Sequence, residues 1–101
     1  MSGMSQLRIY RIKEGKMDEW LDGWTKQVLP LRRKFGFRIE GAWVVPGQDR
    51  FVWILTYDGP AGFKAKDTEY YASDERKALH PDPAPLIADM EVVDMESVLP
   101  R

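Results

Sequence analysis

At 101 residues without a cysteine, the chain has room for one core, and disulfides, thiolate catalysis and cysteine-held zinc or iron–sulfur centres are excluded. Fifteen Lys and Arg are scattered among sixteen Asp and Glu, so no basic stripe exists for nucleic acid and no nucleic-acid partner is expected. No run approaches the ~20 apolar residues that cross a bilayer, and the start of the chain lacks a basic-then-apolar leader; no membrane partner is expected, and the expected location is cytoplasmic.

Residues 6–12 alternate as a first strand, with Leu7, Ile9 and Arg11 on one face and Arg8, Tyr10 and Ile12 on the other. Glu14 and Gly15 break it. From Lys16 the apolar positions Met17, Trp20, Leu21, Trp24, Val28 and Leu31 recur in threes and fours, which predicts an amphipathic helix of about five turns. Arg32, Arg33 and Lys34 suit the negative end of its dipole, Gly36 is a C-terminal stop, and Pro30 is expected to bend the last turn.

Residues 37–45 and 51–57 are β-branched and aromatic, and Pro46-Gly47 followed by Gln48 and Asp49 predicts a hairpin between them. In the second strand Phe51, Trp53, Leu55 and Tyr57 take one face and Val52, Ile54 and Thr56 the other, so both faces are largely apolar. One layer of helices covers one face only; the other is expected to meet a second subunit.

Asp58-Gly59-Pro60 predicts a helix start with Asp58 as cap, Ser73 a second cap, and the helical region reaches Leu79. The segment 80–85, with three prolines, ends it; Asp82 and Pro83 are expected to start a short helical turn through Ala88, and residues 91–98 to form the last strand. The order β-α-β-β-α-β is that of a ferredoxin-like α+β fold, with helices on one side of a four-stranded antiparallel sheet and no linker to divide the chain.

The stretch Leu7-Arg8-Ile9-Tyr10 with Gly15-Lys16, then Trp20, Leu29-Pro30-Leu31 and Gly36-Phe37, resembles the NIPSNAP domain. Gly41-Ala42-Trp43, Phe51-Val52-Trp53 leading to Tyr57, and the run from Tyr70-Tyr71-Ala72-Ser73 to Asp74-Glu75-Arg76 continue the likeness through Val98. The resemblance implies a single dimeric α/β-barrel domain over 1–101, of the kind found in a bacterial member, and a homodimer formed through the sheet face. Its superfamily includes cofactor-free monooxygenases, dehalogenase-like and decarboxylase-like enzymes and haem-degrading proteins. No catalytic motif carries over with it.

His80 is the only histidine, and so the only side chain with an ordinary pKa near neutrality. It is either an acid–base group at a pocket mouth or a loop residue at a helix end. With no His pair and no cysteine, no metal site is expected, and no cofactor either, although His80 leaves a haem ligand formally open. Tyr10, Trp20, Trp24, Trp53 and Tyr71 are candidate lining residues of a pocket between helix and sheet, and Trp43 and Tyr57 belong to the same aromatic set; packing in the core alone accounts for the use of such residues in a small domain and is the preferred reading of the group. Tyr70 and Tyr71 are neighbours about 100° apart on a helix, so only one packs inward. Arg76 and Lys77 suit a ligand carboxylate or a solvated face, and Asp94 and Glu96 an acid–base pair or a charged strand edge. No phosphate loop, nucleophile elbow or dinucleotide fingerprint is present.

Three functions follow: a homodimeric binder of a small apolar or aromatic metabolite; a cofactor-independent monooxygenase- or isomerase-type enzyme using Tyr10, Tyr71 or His80; or an interaction module without a ligand site.

Overall fold

The alternation of the first strand turns Arg8, Tyr10 and Ile12 inward, all buried, and leaves Leu7 and Ile9 partly covered on the other side. The structure, a computed structural model, describes residues 4–99; the first three residues, which belong to the segment read for a leader, lie outside that range. This strand, β1 (Met4–Ile12), leads into α1 (Met17–Gly23), a π-helical turn (Trp24–Val28) and α2 (Leu29–Lys34), which run on as one helical stretch. The expected regular helix is therefore corrected: the Leu29 N–H reaches back five residues to the Trp24 carbonyl. The wide turn comes just before Pro30, which has no N–H to donate and sits in the first turn of α2. Gly36, at φ 92°, ends the stretch as expected.

The hairpin is β2 (Arg38–Val45) and β3 (Arg50–Tyr57), closed by a turn in which the Gln48 N–H donates to the Val45 carbonyl. The next helix starts later than expected. Asp58 does not cap it but pairs with Arg38, and α3 (Phe63–Ala72) begins after Gly62, whose φ of 86° makes the turn. Ser73 does cap α4 (Asp74–Lys77), its hydroxyl accepting from the Arg76 N–H at 3.1 Å. A 3₁₀ turn (Ala84–Leu86) stops short of Ala88, and β4 (Ile87–Glu96) starts four residues earlier than expected because its pairing with β1 extends to Ile12.

The sheet order is β2-β3-β1-β4, antiparallel throughout, with β3 and β1 central. This is the ferredoxin-like fold. On the inner face Phe51, Trp53 and Leu55 are essentially sealed under the helices, together with Trp20, Trp24, Phe63 and Tyr70. On the outer face Leu7, Ile9, Val52 and Ile54 are only half-buried, and Trp43 is 52% exposed.

Candidate functional site

Three elements converge on the inner face with charge. Strand alternation turns Arg8 inward beside Tyr10. Along the first helical stretch the buried positions Trp20, Trp24, Val28 and Arg32 are spaced by four, wider than the 3.6 of a regular α-helix; the π turn aligns them, so Arg32 enters the core while Leu31 stays at its edge. Helix α3 supplies Asp67, Tyr70 and Tyr71.

One carboxylate oxygen serves both arginines. Asp67 Oδ1 accepts from Arg32 Nη1 at 2.7 Å and from Arg8 Nη2 at 3.1 Å. The Tyr71 hydroxyl also accepts from both, from Arg8 Nη1 at 2.9 Å and from Arg32 Nη2 at 3.2 Å. Arg8 Nη1 further donates to the Tyr10 hydroxyl at 3.3 Å, and its Nε to Gln6 Oε1 at 3.0 Å. The Arg32 guanidinium lies 3.8 Å from the centre of the Tyr70 ring and 4.7 Å from that of Phe37, which holds it by stacking as well as by hydrogen bonds.

Burial works against the Arg8 charge, but the two phenols and Asp67 outweigh it and hold the guanidinium above its ordinary pKa. Burial pushes the Tyr10 phenol up, against the opposing pull of Arg8, and pushes Tyr70 up against Arg32 and Arg76. Both phenols are therefore protonated at neutral pH and act as donors or acids rather than as bases.

Beside this cluster lies a cavity of about 100 Å³. Tyr10, Trp20, Trp53, Tyr70 and Tyr71 form most of its wall, Arg32 and Arg76 bring charge, and Pro83, Ala84, Ile87 and Met90 close the far side. Tyr71 (44% exposed) and Met90 (52% exposed) are its most open residues. The far side is held in place by the helix: a Cβ on Gly23 would come within 3.2 Å of the Pro83 Cβ, and Gln27 clamps the loop by donating to the Pro81 carbonyl and accepting from the His80 N–H, both at 2.9 Å.

Of the candidates from sequence, Tyr10, Trp20, Trp53 and Tyr71 come together at this cavity. Trp24 does not reach it; it packs edge-on against Phe51 and Trp53, with centroids at 5.1 and 5.5 Å. His80 is exposed in a separate depression with Glu19, Asp22 and Lys26, and its backbone, not its ring, makes the contact to Gln27. Tyr57 packs on Phe37 and Trp43 sits on the opposite face. Arg76 lines the cavity and bonds Asp82 at 3.2 Å, while Lys77 is exposed. Asp94 and Glu96 are exposed on edge strand β4, where Asp94 accepts from Gln6 at 2.9 Å. Tyr70 is the inward member of the tyrosine pair, at 1% exposure. Sequence reasoning missed Arg8, Arg32 and Asp67 as site residues; the inward register of Arg8 and the four-residue step from Val28 to Arg32 were the available signals. Among the described residues no group of three or more His, Asp or Glu could hold a metal ion.

The NIPSNAP family model matches residues 5–95. The chain belongs to the NIPSNAP family. Solved structures of other NIPSNAP proteins share its fold. An uncharacterised NIPSNAP domain protein from Burkholderia xenovorans is 22% identical with a TM-score of 0.81, the match covering 97% of this chain and 99% of that one. A NIPSNAP family protein from Agrobacterium tumefaciens is 21% identical with a TM-score of 0.80, covering 93% and 84%. A candidate antibiotic biosynthesis monooxygenase from Caulobacter crescentus is 10% identical with a TM-score of 0.73, covering 97% and 92%. No curated protein matches. Among the described residues no helix is long and apolar enough to cross a membrane.

Proposed function

We propose that this NIPSNAP-domain chain binds a small, largely apolar or aromatic metabolite in the cavity between its helices and sheet, one site per subunit of a homodimer. The observation that carries the reading is an aromatic cavity with guanidinium and phenol groups converging on one side, the mix of apolar wall and few polar groups that suits a small-molecule site. A ligand that binds only the folded state raises apparent stability, so a thermal-shift screen of small metabolites is expected to yield hits that Trp20→Ala or Tyr71→Ala abolishes. A broad metabolite library with no hit would overturn the reading.

The homodimer forms through the outer sheet face. Leu7, Ile9, Val52, Ile54 and Trp43 make an apolar surface that the chain's own helices do not cover, and two such sheets pack at ~10 Å about a twofold axis. Sedimentation at micromolar concentration is expected to give twice the chain mass; a monomer would contradict it. A cysteine-free chain suits a reducing, cytoplasmic setting.

One observation favours an enzyme as second reading. Arg8 Nη1 donates to both the Tyr10 and Tyr71 hydroxyls, so a cation stands behind two phenols, an arrangement suited to protonating or stabilising an oxyanion that develops on a substrate without any cofactor. The likeness of fold to candidate antibiotic biosynthesis monooxygenases agrees with it. Once any turnover is found, Tyr10→Phe and Tyr71→Phe are each expected to slow it at least about a hundredfold, in line with loss of a general acid; unchanged rates in both would remove this reading.

A further inference from the structure

Arg8 and Arg32 together carry two positive charges, and the one carboxylate they share, Asp67, carries one negative charge, so the cluster is left with one positive charge in excess. That excess lies where water is nearly excluded, since Arg32 is 1% exposed and Arg8 3%. Buried charges are ordinarily paired, because leaving one unmatched is expensive. The third arginine at the cavity, Arg76, has its own counter-ion in Asp82 at 3.2 Å. Among the described residues no acidic side chain lines the cavity at all.

Polar groups are also left over. Arg32 Nε, the Tyr70 hydroxyl and the indole N–H groups of Trp20 and Trp53 are buried without a hydrogen-bond partner among the described residues, and all four belong to residues on the cavity wall. Folded proteins rarely leave such groups unsatisfied, and a site awaiting a ligand is one setting in which they do.

The geometry points to a small organic carboxylate as the ligand, its anionic oxygens met by Arg32 and Tyr70 and its apolar body by Trp20, Trp53 and Ile87. This rests on the cavity being a ligand site and adds the charge of what it takes. A monoanion matches the single excess charge, and a planar carboxylate matches the flat guanidinium fork. The cavity, about 100 Å³, offers the volume of about three waters at ~30 Å³ each. A short acid suits that space, whose most exposed wall residues are Tyr71 and Met90.

Calorimetric titration of the full chain with crotonate, with its neutral counterpart crotonamide and with sulfate at matched ionic strength tests this. Crotonate is expected to bind at least about tenfold more tightly than crotonamide, the factor for one charge-assisted hydrogen bond, and sulfate more weakly than crotonate. Tyr70→Phe, which keeps the ring that stacks on Arg32, is expected to lower crotonate affinity severalfold, leave crotonamide unchanged and melt no lower than the unaltered protein when ligand-free. Crotonamide binding as tightly as crotonate overturns the inference while the pocket reading stands, and sulfate binding as tightly as crotonate overturns the organic class. Binding of none of the three also overturns it, and the metabolite thermal-shift screen then decides separately whether the pocket binds ligands at all.

Discussion

The two faces of β3 differ in how they are made. On the inner face Phe51, Trp53 and Leu55 pack under a helical layer that carries Arg32, Asp67 and Tyr70 inward, and strand β1 adds Arg8 and Tyr10 beside them. On the outer face Val52 and Ile54 sit in an aliphatic patch with no helix above it, flanked by the Ser5–Thr56 hydroxyl pair at 2.6 Å towards one end and by the exposed Arg11–Asp89 ion pair towards the other. An interior meant only for stability is cheaper to fill with hydrocarbon, because an ion cluster loses hydration that packing does not need to recover. The contrast supports the proposal that ligand chemistry belongs to the inner face and subunit pairing to the outer one.

Substituting neighbours on opposite faces separates the two roles with the largest effects. Leu55→Ala is expected to cost about 3 kcal/mol in denaturant unfolding, as other deeply buried leucines do, and to leave the sedimentation mass unchanged. Ile54→Glu is expected to leave the subunit folded and halve the mass. If both variants changed the mass, or neither did, the division between the faces would be wrong.

Charge balance within the inner face comes next. Asp67→Asn leaves two buried arginines facing each other and is expected to destabilise by about 3 kcal/mol, the lower end for breaking a buried pair, since Asp67 keeps 22% exposure. Arg32→Met keeps an apolar stem against Tyr70 and leaves the Arg8–Asp67 pair balanced, so it is expected to cost less than Asp67→Asn. The reverse order, measured by chemical unfolding, would show that stacking rather than charge holds the cluster.

Much of the fold was legible because its signals are local. The two-residue alternation of β1 and β3, the turn at Pro46-Gly47, the stop at Gly36 and the cap at Ser73 each depend on residues adjacent in sequence. The π turn was not legible, because steps of three and four describe a helical face without showing that one turn holds an extra residue. That extra residue decides that Arg32 rather than Leu31 enters the core, so the site's main cation read as an end-of-helix charge. Asp67 was hidden for a related reason: α3 buries only Phe63 and Tyr70, too few to reveal which side faces inward. The start of β4 was obscured because an edge strand exposed over most of its length shows no alternation.

Smaller effects probe the phenols. Tyr70→Phe removes a buried hydroxyl that has no partner among the described residues and is expected to stabilise the ligand-free protein by about 1 kcal/mol in chemical unfolding. A loss of stability would mean that the hydroxyl is already satisfied by a group inside the fold. With pH the sign follows from the raised pKa values of Tyr10 and Tyr70. The native state keeps these phenol protons to higher pH than the unfolded chain, whose phenols ionise near pH 10. Their stabilising contribution is therefore complete below about pH 10 and falls as pH rises past it. Unfolding midpoints measured from pH 8 to pH 11 are expected to fall more gently in Tyr10→Phe than in the unaltered protein; parallel curves would contradict the burial of that phenol.

The most direct test of the inner-face assignment is a crystal structure of the protein grown with crotonate. The acid is expected in the cavity, its carboxylate within hydrogen-bonding distance of Arg32 and Tyr70 and its carbon chain against Trp20 and Trp53. A cavity filled only by water, with crotonate bound elsewhere or absent, would contradict the account.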